Sequence, residues 1–229
     1  MNTPAAFLFD MDGLLLDSER VYRSVALDLM RPLGFDLAEA EAHFMTLVGN
    51  SGAEGLRRIR AFTGSQQSAE AFNAAMHAGV RRSLAAHVPL RPMVRDALVA
   101  LADMGARMAV VTSTHGSPAR QHLAQAGLID YFECVVAGDE VSANKPDPAP
   151  YLQAAETLGI DPRTCAAFED SDAGTTSAAG AGCVTTQIPD LRPVGLPLPD
   201  VGQRVAPDLW SALHGLGVLP EARSQAVCR

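Results

Sequence analysis

The sequence has 229 residues, 48% of them apolar and 19% charged, as is typical of a globular protein that can bury a sizeable core. Its formal net charge of -8 argues against a general nucleic-acid binder, because such a protein needs a basic face. The charge does not exclude a small anionic substrate, since a bound cation can invert the local field.

The cysteines and the N-terminus indicate where such a protein would work. Four cysteines without a CxxC pair give neither a zinc-site pattern nor a disulfide framework, so we expect reduced thiols and a cytoplasmic location. The first residues have no basic segment and only a short apolar run, unlike a signal peptide. No stretch is long and apolar enough to span a bilayer. We therefore expect no membrane or nucleic-acid partner, and either a monomer or a homodimer.

The first predicted element is a buried strand over residues 5–9, a short apolar run that ends at Asp10. Apolar residues then recur at helical spacing in a block without strand-like segments. The predicted helices of this block cover residues 18–31, 36–47, 52–62 and 67–86. The pattern predicts an all-helical insert directly after the first strand.

From Pro89 onward, predicted strands alternate with predicted helices. The strands cover residues 107–112, 134–138, 164–169 and 183–188, and the helices 92–104, 117–126, 148–158, 171–180 and 208–214. This alternation predicts a parallel sheet with helices on both faces. The proline-rich stretch 189–200 is predicted to be a surface loop.

The fold class that follows is α/β, with two parts. Residues 1–15 and 88–229 are predicted to form a discontinuous, Rossmann-like core whose parallel sheet is flanked by helices. Residues 16–87 are predicted to form an inserted all-helical cap domain.

Polar side chains follow the predicted strands, at the sheet edge where ligands of open parallel sheets bind. They are Asp10 and Asp12, Thr112 to Thr114, Asn144 and Lys145, and Glu169 to Ser171. Close carboxylates raise one another's pKa, so such a cluster needs a compensating cation. Oxygen ligands alone favour Mg²⁺ over zinc. A cation beside a lysine makes a pocket suited to a phosphoryl group.

Lys145 is the only lysine, and every other basic residue is an arginine. A bias toward arginine codons explains the excess of arginine. Under that bias, a single lysine indicates a position where a compact ammonium is needed and a planar guanidinium does not serve.

These segments resemble the motifs of the haloacid dehalogenase superfamily, in its phosphatase branch with a helical cap. Four motifs match in order over Phe7 to Ile188. They are DMDGLLLDSE from Asp10, VVTST ending at Thr114, KPDP from Lys145 and FEDSDAG from Phe168.

The resemblance implies Mg²⁺-dependent hydrolysis of small phosphate monoesters, so the expected partner is a small phosphorylated metabolite. Asp10 would attack phosphorus and form an acyl-phosphate. Asp12 would protonate the leaving alkoxide and then deprotonate water. Thr112 would bind the phosphate through its hydroxyl, and Lys145 would stabilise charge on the nucleophile and the phosphate.

The resemblance also implies a metal site and substrate contacts. Mg²⁺ would be held by Asp10, the Asp12 carbonyl and Asp170, with Glu169 supporting directly or through water. The residues expected to help bind or shape the substrate site are Gly13, Ser113, Asn144 and the cap segment Gly49, Asn50 and Ser51. The cap arginines 57, 58, 60, 81 and 82 are interpreted as a solvated helix face.

Other activities of the same superfamily can be weighed on single residues. Dehalogenases lack the second aspartate, so Asp12 argues against that reaction. Phosphonatases need a cap lysine, and Lys145 is not in the cap. Sugar phosphomutases of the β-phosphoglucomutase type are the main alternative. They have a histidine where this chain has Tyr22 and an arginine where it has Gly52, which favours simple hydrolysis.

A catalytically idle binding or regulatory module on the same fold is an alternative of another class. Receiver-type signalling domains also use Asp, Thr and Lys, but their acidic pair comes first in the chain. Here the pair Glu169 and Asp170 comes last. An idle relative would lack a catalytic side chain, and none is missing from the four motifs.

Overall fold

One parallel sheet forms the centre of the molecule. The structure is a computed structural model that describes residues 3–48, 52–64, 67–192 and 195–221. Its strand order is β3-β2-β1-β4-β5-β6, and every neighbouring pair is parallel. The strands are β1 (Ala6–Phe9), β2 (Met108–Val111), β3 (Cys134–Val136), β4 (Cys165–Glu169), β5 (Val184–Gln187) and β6 (Arg204–Val205).

The helices fall into two groups. Between β1 and β2 lie α1 (Ser18–Met30), α2 (Leu37–Leu47), α3 (Gly52–Thr63), α4 (Ala69–Ala86) and α5 (Val94–Asp103). After β2 come α6 (Gly116–Gln125), α7 (Ala149–Leu158), α8 (Asp172–Gly180) and α9 (Leu209–Gly215). The predicted α/β class with an inserted helical block is confirmed. Within the described ranges, no helix combines the length and apolar character needed to cross a bilayer.

The sheet is covered on both faces, which explains why its central strands are continuous apolar runs. Alternate residues of β1 point to opposite sides, so Phe7 and Phe9 belong to one apolar cluster while Ala6 and Leu8 belong to another. The first cluster includes α5, α6 and α9, and the second includes α7 and α8. Because β1 and β4 are buried along their whole length, their carboxyl ends are held firmly.

Helices α1 to α4 have an apolar core of their own. Phe44, Ile59, Phe62 and Phe72 are buried in this third cluster. Helix α2 begins with a capping box, in which the Asp36 side chain accepts from the Glu39 N–H and the Glu39 side chain accepts from the Asp36 N–H. The helical block is therefore built by local capping and by an apolar cluster of its own, and Val80 and Leu84 of α4 also join it to the first cluster of the sheet.

Two crossings connect the helical block to the sheet, and they run side by side. The Asp17 N–H donates to Pro89 O at 2.9 Å, and the Arg91 N–H donates to Leu15 O at 3.0 Å. Leu16 and Leu90 form an antiparallel bridge between these bonds. The chain thus leaves and re-enters the sheet region through one short paired segment.

The predicted surface loop 189–200 is only partly a surface loop. The Asp190 side chain is 1% exposed and lies within 3 Å of both Arg20 and Arg91, and Leu191 packs against the α1–α4 core. Buried charge is retained there because two arginines pair with it. The sequence prediction also missed β6, which has two residues and therefore no readable alternation.

Candidate active site

A cavity of about 770 Å³ lies where the carboxyl edge of the sheet faces helices α1 to α4. Its floor comes from the sheet edge and its wall from the helical block. The residues of the floor include Asp10, Asp12, Thr112, Ser113, Thr114, Lys145 and Asp170. The structure therefore brings together residues that are far apart in sequence, as expected for neighbouring parallel strands.

Lys145 is the centre of the floor. Its Nζ donates to Asp10 Oδ1 at 2.5 Å, Glu169 Oε1 at 2.6 Å and Val111 O at 2.8 Å, which uses all three ammonium protons. Burial alone would lower the pKa of Lys145, but the two carboxylates outweigh it and raise that pKa. The compact ammonium fits a site with three converging acceptors, in agreement with the argument from the single lysine.

Glu169 is fully buried and heavily hydrogen-bonded. Its Oε1 accepts from Lys145 and, at 2.7 Å, from the hydroxyl of buried Tyr151. Its Oε2 accepts from the Ser171 hydroxyl at 3.2 Å. A Cβ on Gly174 would come within about 2.0 Å of this carboxylate, so the first turn of α8 can pack here only with a glycine. Tyr151 was not predicted, because a contact between α7 and β4 leaves no local pattern in the sequence.

Burial and mutual repulsion raise the pKa values of two carboxylates of the floor. Burial, followed by repulsion from Glu169 and Asp12, raises the pKa of Asp10 well above its usual value, although Lys145 opposes this. Burial and the charges of Asp10 and Glu169 likewise raise the pKa of Asp170. The cluster therefore holds more negative charge than Lys145 alone can balance.

The same cluster fits a hard divalent cation. Asp10, Glu169 and Asp170 each offer a carboxylate oxygen within 4.8 Å of the others, and all the donors are oxygen, as Mg²⁺ prefers. Gly13, with φ of 83°, lets the Asp170 carboxylate approach, since a Cβ there would lie 2.2 Å from Asp170 Oδ2. Glu169 already accepts from four donors, which are the Lys145 ammonium, the Tyr151 hydroxyl, and the hydroxyl and N–H of Ser171, so Asp10 and Asp170 are the freer ligands.

The segment after β2 lies beside Asp12. The Thr112 hydroxyl accepts from the Thr114 N–H at 3.0 Å, and the Thr114 hydroxyl donates to Asp12 Oδ2 at 2.7 Å. Ser113 is exposed and lines the cavity. The Asn144 amide instead donates to Gly138 O at 3.0 Å and is not among the lining residues, so it joins two loops of the floor. The segment Gly49 to Ser51 lies outside the described residues.

The wall of the cavity contains polar groups that the sequence prediction missed. Asn73, His77 and Arg81 project from α4 at intervals of four residues, so they share one helix face. Tyr22 on α1 contacts this stripe, with its hydroxyl 3.5 Å from His77 Nδ1. Glu19 also lines the cavity, and burial with the nearby Asp12 and Asp190 charges raises its pKa to about 7. The four-residue spacing is the signal that could have found the stripe.

The arginines of the helical block include residues in ion pairs on the helix surface and one that lines the cavity. Arg57 and Arg58 both pair with Glu54, and Arg60 pairs with Glu70, as the interpretation of a solvated helix face implies. Arg81 is the exception, because it lines the cavity and forms no ion pair within the described part of the chain.

Comparison with known proteins places this geometry in context. A family model described as haloacid dehalogenase-like hydrolase matches residues 7–188. A phosphorylated carbohydrates phosphatase of Thermotoga maritima is 33% identical over 181 residues, which cover 77% of this chain and 81% of that protein.

Two solved structures extend the comparison. A hydrolase of the same family from Deinococcus radiodurans R1, with bound phosphate and sodium, has a TM-score of 0.77 at 25% identity, covering 96% of this chain and 100% of that one. A β-phosphoglucomutase from Clostridium difficile shares the fold, with a TM-score of 0.61 at 20% identity over 81% of this chain and 84% of that one.

Proposed function

The chain belongs to the haloacid dehalogenase-like hydrolases and is a phosphoric monoester hydrolase, as the sequence predicted, and from that premise we propose a Mg²⁺-dependent phosphatase with a phosphoaspartate intermediate on Asp10. One observation carries the proposal. Asp10 lies at the floor of a large cavity, and Lys145 binds only its Oδ1. Oδ2 has no hydrogen-bond partner within the described residues and is the oxygen free to attack phosphorus.

The cation would be held by Asp10, Asp170 and the backbone carbonyl of Asp12. Mg²⁺, when bound, supplies positive charge that favours the ionised carboxylates and neutralises the phosphoryl oxygens. Glu169 positions Lys145, because its hydrogen bonds with Lys145 and Tyr151 hold the ammonium against Asp10. Lys145 then faces both the nucleophile and the incoming phosphoryl group.

Phosphoryl transfer needs in-line alignment more than it needs covalent chemistry from the protein. Asp10 attacks phosphorus while Thr112 and the Ser113 N–H bind the phosphoryl oxygens. Asp12 gives its proton to the leaving oxygen in this first step. In the second step Asp12 takes a proton from the water that attacks phosphorus and releases Asp10.

The leaving group would occupy the part of the cavity under α1 and α4. The polar stripe of α4 with Tyr22 and Glu19 offers donors and acceptors to a hydroxylated leaving group. The relative from Thermotoga maritima is described as acting on phosphorylated carbohydrates, and we propose phosphate esters of sugars or related polyols here. Ser113 and the segment Gly49 to Ser51 are proposed as further substrate contacts.

We assign the two parts of the chain different tasks. Residues 1–15 and 88–229 form the catalytic core, and residues 16–87 form the cap. The separate apolar cluster of α1 to α4 and the paired crossing at Leu16 and Leu90 support this division.

A reducing, cytoplasmic setting is part of the proposal. Cys134, Cys165 and Cys183 are free thiols, and the last two are buried. Unpaired cysteines of this kind are typical of reducing compartments.

A sugar phosphomutase is the second candidate, and one observation favours it. A histidine reaches the wall beside Tyr22 after all, because α4 contributes His77. Hydrolysis remains the primary proposal, since Gly52 stands where mutases carry an arginine. Conversion of a hexose 1-phosphate to its 6-phosphate without net phosphate release would establish the mutase instead.

The test is phosphate release from a panel of sugar, polyol and aryl phosphates, with Mg²⁺ or with EDTA. We expect activity only with Mg²⁺, and a loss of about 10⁴-fold or more in Asp10→Asn, because the nucleophile is removed while its shape is kept. Undiminished release in EDTA or in the variant would refute the mechanism. No turnover of any member by the wild-type protein would favour the idle module.

A further inference from the structure

Thr114 makes a contact that the mechanism above does not use. Its hydroxyl oxygen lies 2.7 Å from Asp12 Oδ2, a normal length for an O–H donor and a carboxylate. The other oxygen of Asp12, Oδ1, has no hydrogen-bond partner within the described residues. The two oxygens of this carboxyl group are therefore in different environments, although both Asp12 and Thr114 line the cavity.

The backbone of Thr114 is held on both sides. Its N–H donates to the Thr112 hydroxyl at 3.0 Å, and its carbonyl accepts from the Gly138 N–H at 3.0 Å. The loops approach so closely that a Cβ on Gly138 would lie 2.2 Å from Ser113 O. With the backbone held, one side-chain torsion is enough to aim the hydroxyl at Asp12.

We propose, on the basis of the phosphatase function above, that Thr114 is a positioning residue that fixes which oxygen of Asp12 carries the proton. A hydroxyl has one proton to donate, and Thr114 gives it to Oδ2. The transferable proton of the acid form then resides on Oδ1, the oxygen without a partner. Thr114 acts through Asp12 and need not touch the substrate.

The proton balance of both steps is consistent with this role. In the first step Asp10 forms a bond to phosphorus, the bond between phosphorus and the leaving oxygen breaks with its electron pair staying on that oxygen, and the proton of Oδ1 moves there. Asp12 becomes a carboxylate with Thr114 still donating to Oδ2. In the second step water attacks phosphorus, its proton moves to Oδ1, and Asp10 leaves as a carboxylate. The Thr114 bond is kept throughout.

The chemistry favours this role over phosphate binding by the same hydroxyl. To bind a phosphoryl oxygen, Thr114 would have to donate its only proton there and release Asp12. Asp12 would then lose the one bond that orients it. Thr112 and the Ser113 N–H remain available for the phosphoryl group without that loss.

The test compares Thr114→Val, which keeps the shape and removes the donor, with Thr114→Ser, which keeps the hydroxyl. The readout is kcat/KM, which covers only the steps through transfer to Asp10, for an alkyl phosphate and for p-nitrophenyl phosphate, whose leaving group needs no proton. We expect Thr114→Val to lose about 10- to 100-fold on the alkyl ester and less than about threefold on the aryl ester, with Thr114→Ser near wild type.

Thr157→Val is the matched control, because Thr157 donates to the Gln153 carbonyl on the exposed side of α7, away from the cavity. It should leave both substrates unchanged. Equal losses on the two esters in Thr114→Val would overturn the proposal and indicate phosphate binding. A loss on the alkyl ester that disappears in single-turnover transfer at saturating substrate would overturn it in favour of leaving-group binding.

A double variant separates this proposal from the proposed function. In an Asp12→Asn background, Thr114→Val should cause no further loss, because its effect acts through Asp12. An additional loss there would contradict the positioning role while leaving Asp12 as the acid. If Asp12→Asn itself treats alkyl and aryl esters alike, the acid role of Asp12 fails, and the proposed function must be revised first.

Discussion

The floor and the wall of the cavity are built on opposite principles. In the floor, Asp10 and Glu169 are buried, and each accepts from the Lys145 ammonium, at 2.5 and 2.6 Å; the Lys145 side chain is only 5% exposed. In the wall, His77 and Arg81 are exposed, and within the described part of the chain the only side-chain hydrogen bond of the stripe is the 3.5 Å contact with Tyr22. Buried ions are held only where they are paired, whereas hydrated groups stay available to a ligand. The comparison suggests that the floor determines the reaction and the wall selects the substrate.

After Asp10→Asn, the largest effect is expected at Lys145, which also lies in the floor. In Lys145→Met, the Asp10 and Glu169 carboxylates lose their shared cation in a buried site, and the phosphoryl group loses a neutralising charge. We expect kcat to fall about 10³-fold for alkyl and aryl phosphates alike, because both substrates react at the same floor residues.

Lys145→Arg is the sharper control for the same position. A guanidinium keeps the charge but is too large and planar for three acceptors converging on one atom. Activity should stay below about a tenth of wild type, a loss of one decade or more in kcat. Full activity in Lys145→Arg, with unfolding midpoints unchanged, would mean that charge alone suffices.

A smaller effect, on stability, is expected at the junction between floor and wall. Asp190 Oδ1 accepts from Arg20 at 2.9 Å and forms an ion pair with Arg91 at 2.8 Å, so it joins α1, the second crossing and the loop after β5. Asp190→Ala removes the shared anion. We expect the free energy of unfolding to fall by about 2 to 3 kcal/mol, below the range for a fully buried pair, because Arg20 is half exposed.

Urea unfolding at fixed pH measures this effect, with Asp200→Ala as the matched control. Asp200 is exposed in the same loop and has no ion pair among the described residues. Equal stability of the two variants would show that the junction is not held by Asp190.

The smallest effect is expected in the wall, and it should depend on the substrate. Arg81→Gln removes a cation that lines the cavity, whereas Arg82→Gln removes its exposed neighbour that does not. We expect Arg81→Gln to lower kcat/KM for a sugar phosphate about tenfold, the value of one charged hydrogen bond, and to leave p-nitrophenyl phosphate unchanged. Arg82→Gln should resemble wild type on both substrates. Equal losses on both esters in Arg81→Gln would assign Arg81 to the floor chemistry.

The sequence was most informative where strand ends coincide with motifs. Asp10 and Glu169 follow apolar runs that could only be buried strands, so the rule for open sheets brings them together without further knowledge. The family and the α/β class were predicted for the same reason. Helix ends differ from the prediction by one or two residues, as capping and fraying allow.

Tertiary contacts were beyond the reach of sequence patterns. Tyr151 reaches Glu169 only because α7 packs on the sheet, and a tyrosine in an amphipathic helix gives no hint of it. Arg81 and Arg82 are adjacent and chemically identical, and only the rotation of α4 makes one of them line the cavity. Asp190 lies in a proline-rich stretch that reads as a loop, yet two arginines distant in sequence bury it.

The central claim is that Asp10 carries the phosphoryl group during turnover. The most direct measurement is acid quenching of the enzyme during turnover of a ³²P-labelled substrate with Mg²⁺, followed by mapping of the labelled peptide. We predict a hydroxylamine-sensitive label on Asp10 in the wild-type protein, none in Asp10→Asn, and slower loss of label in Asp12→Asn, which lacks the base for the second step. A label that persists in Asp10→Asn, or rapid turnover with no label on the wild-type protein, would contradict the account.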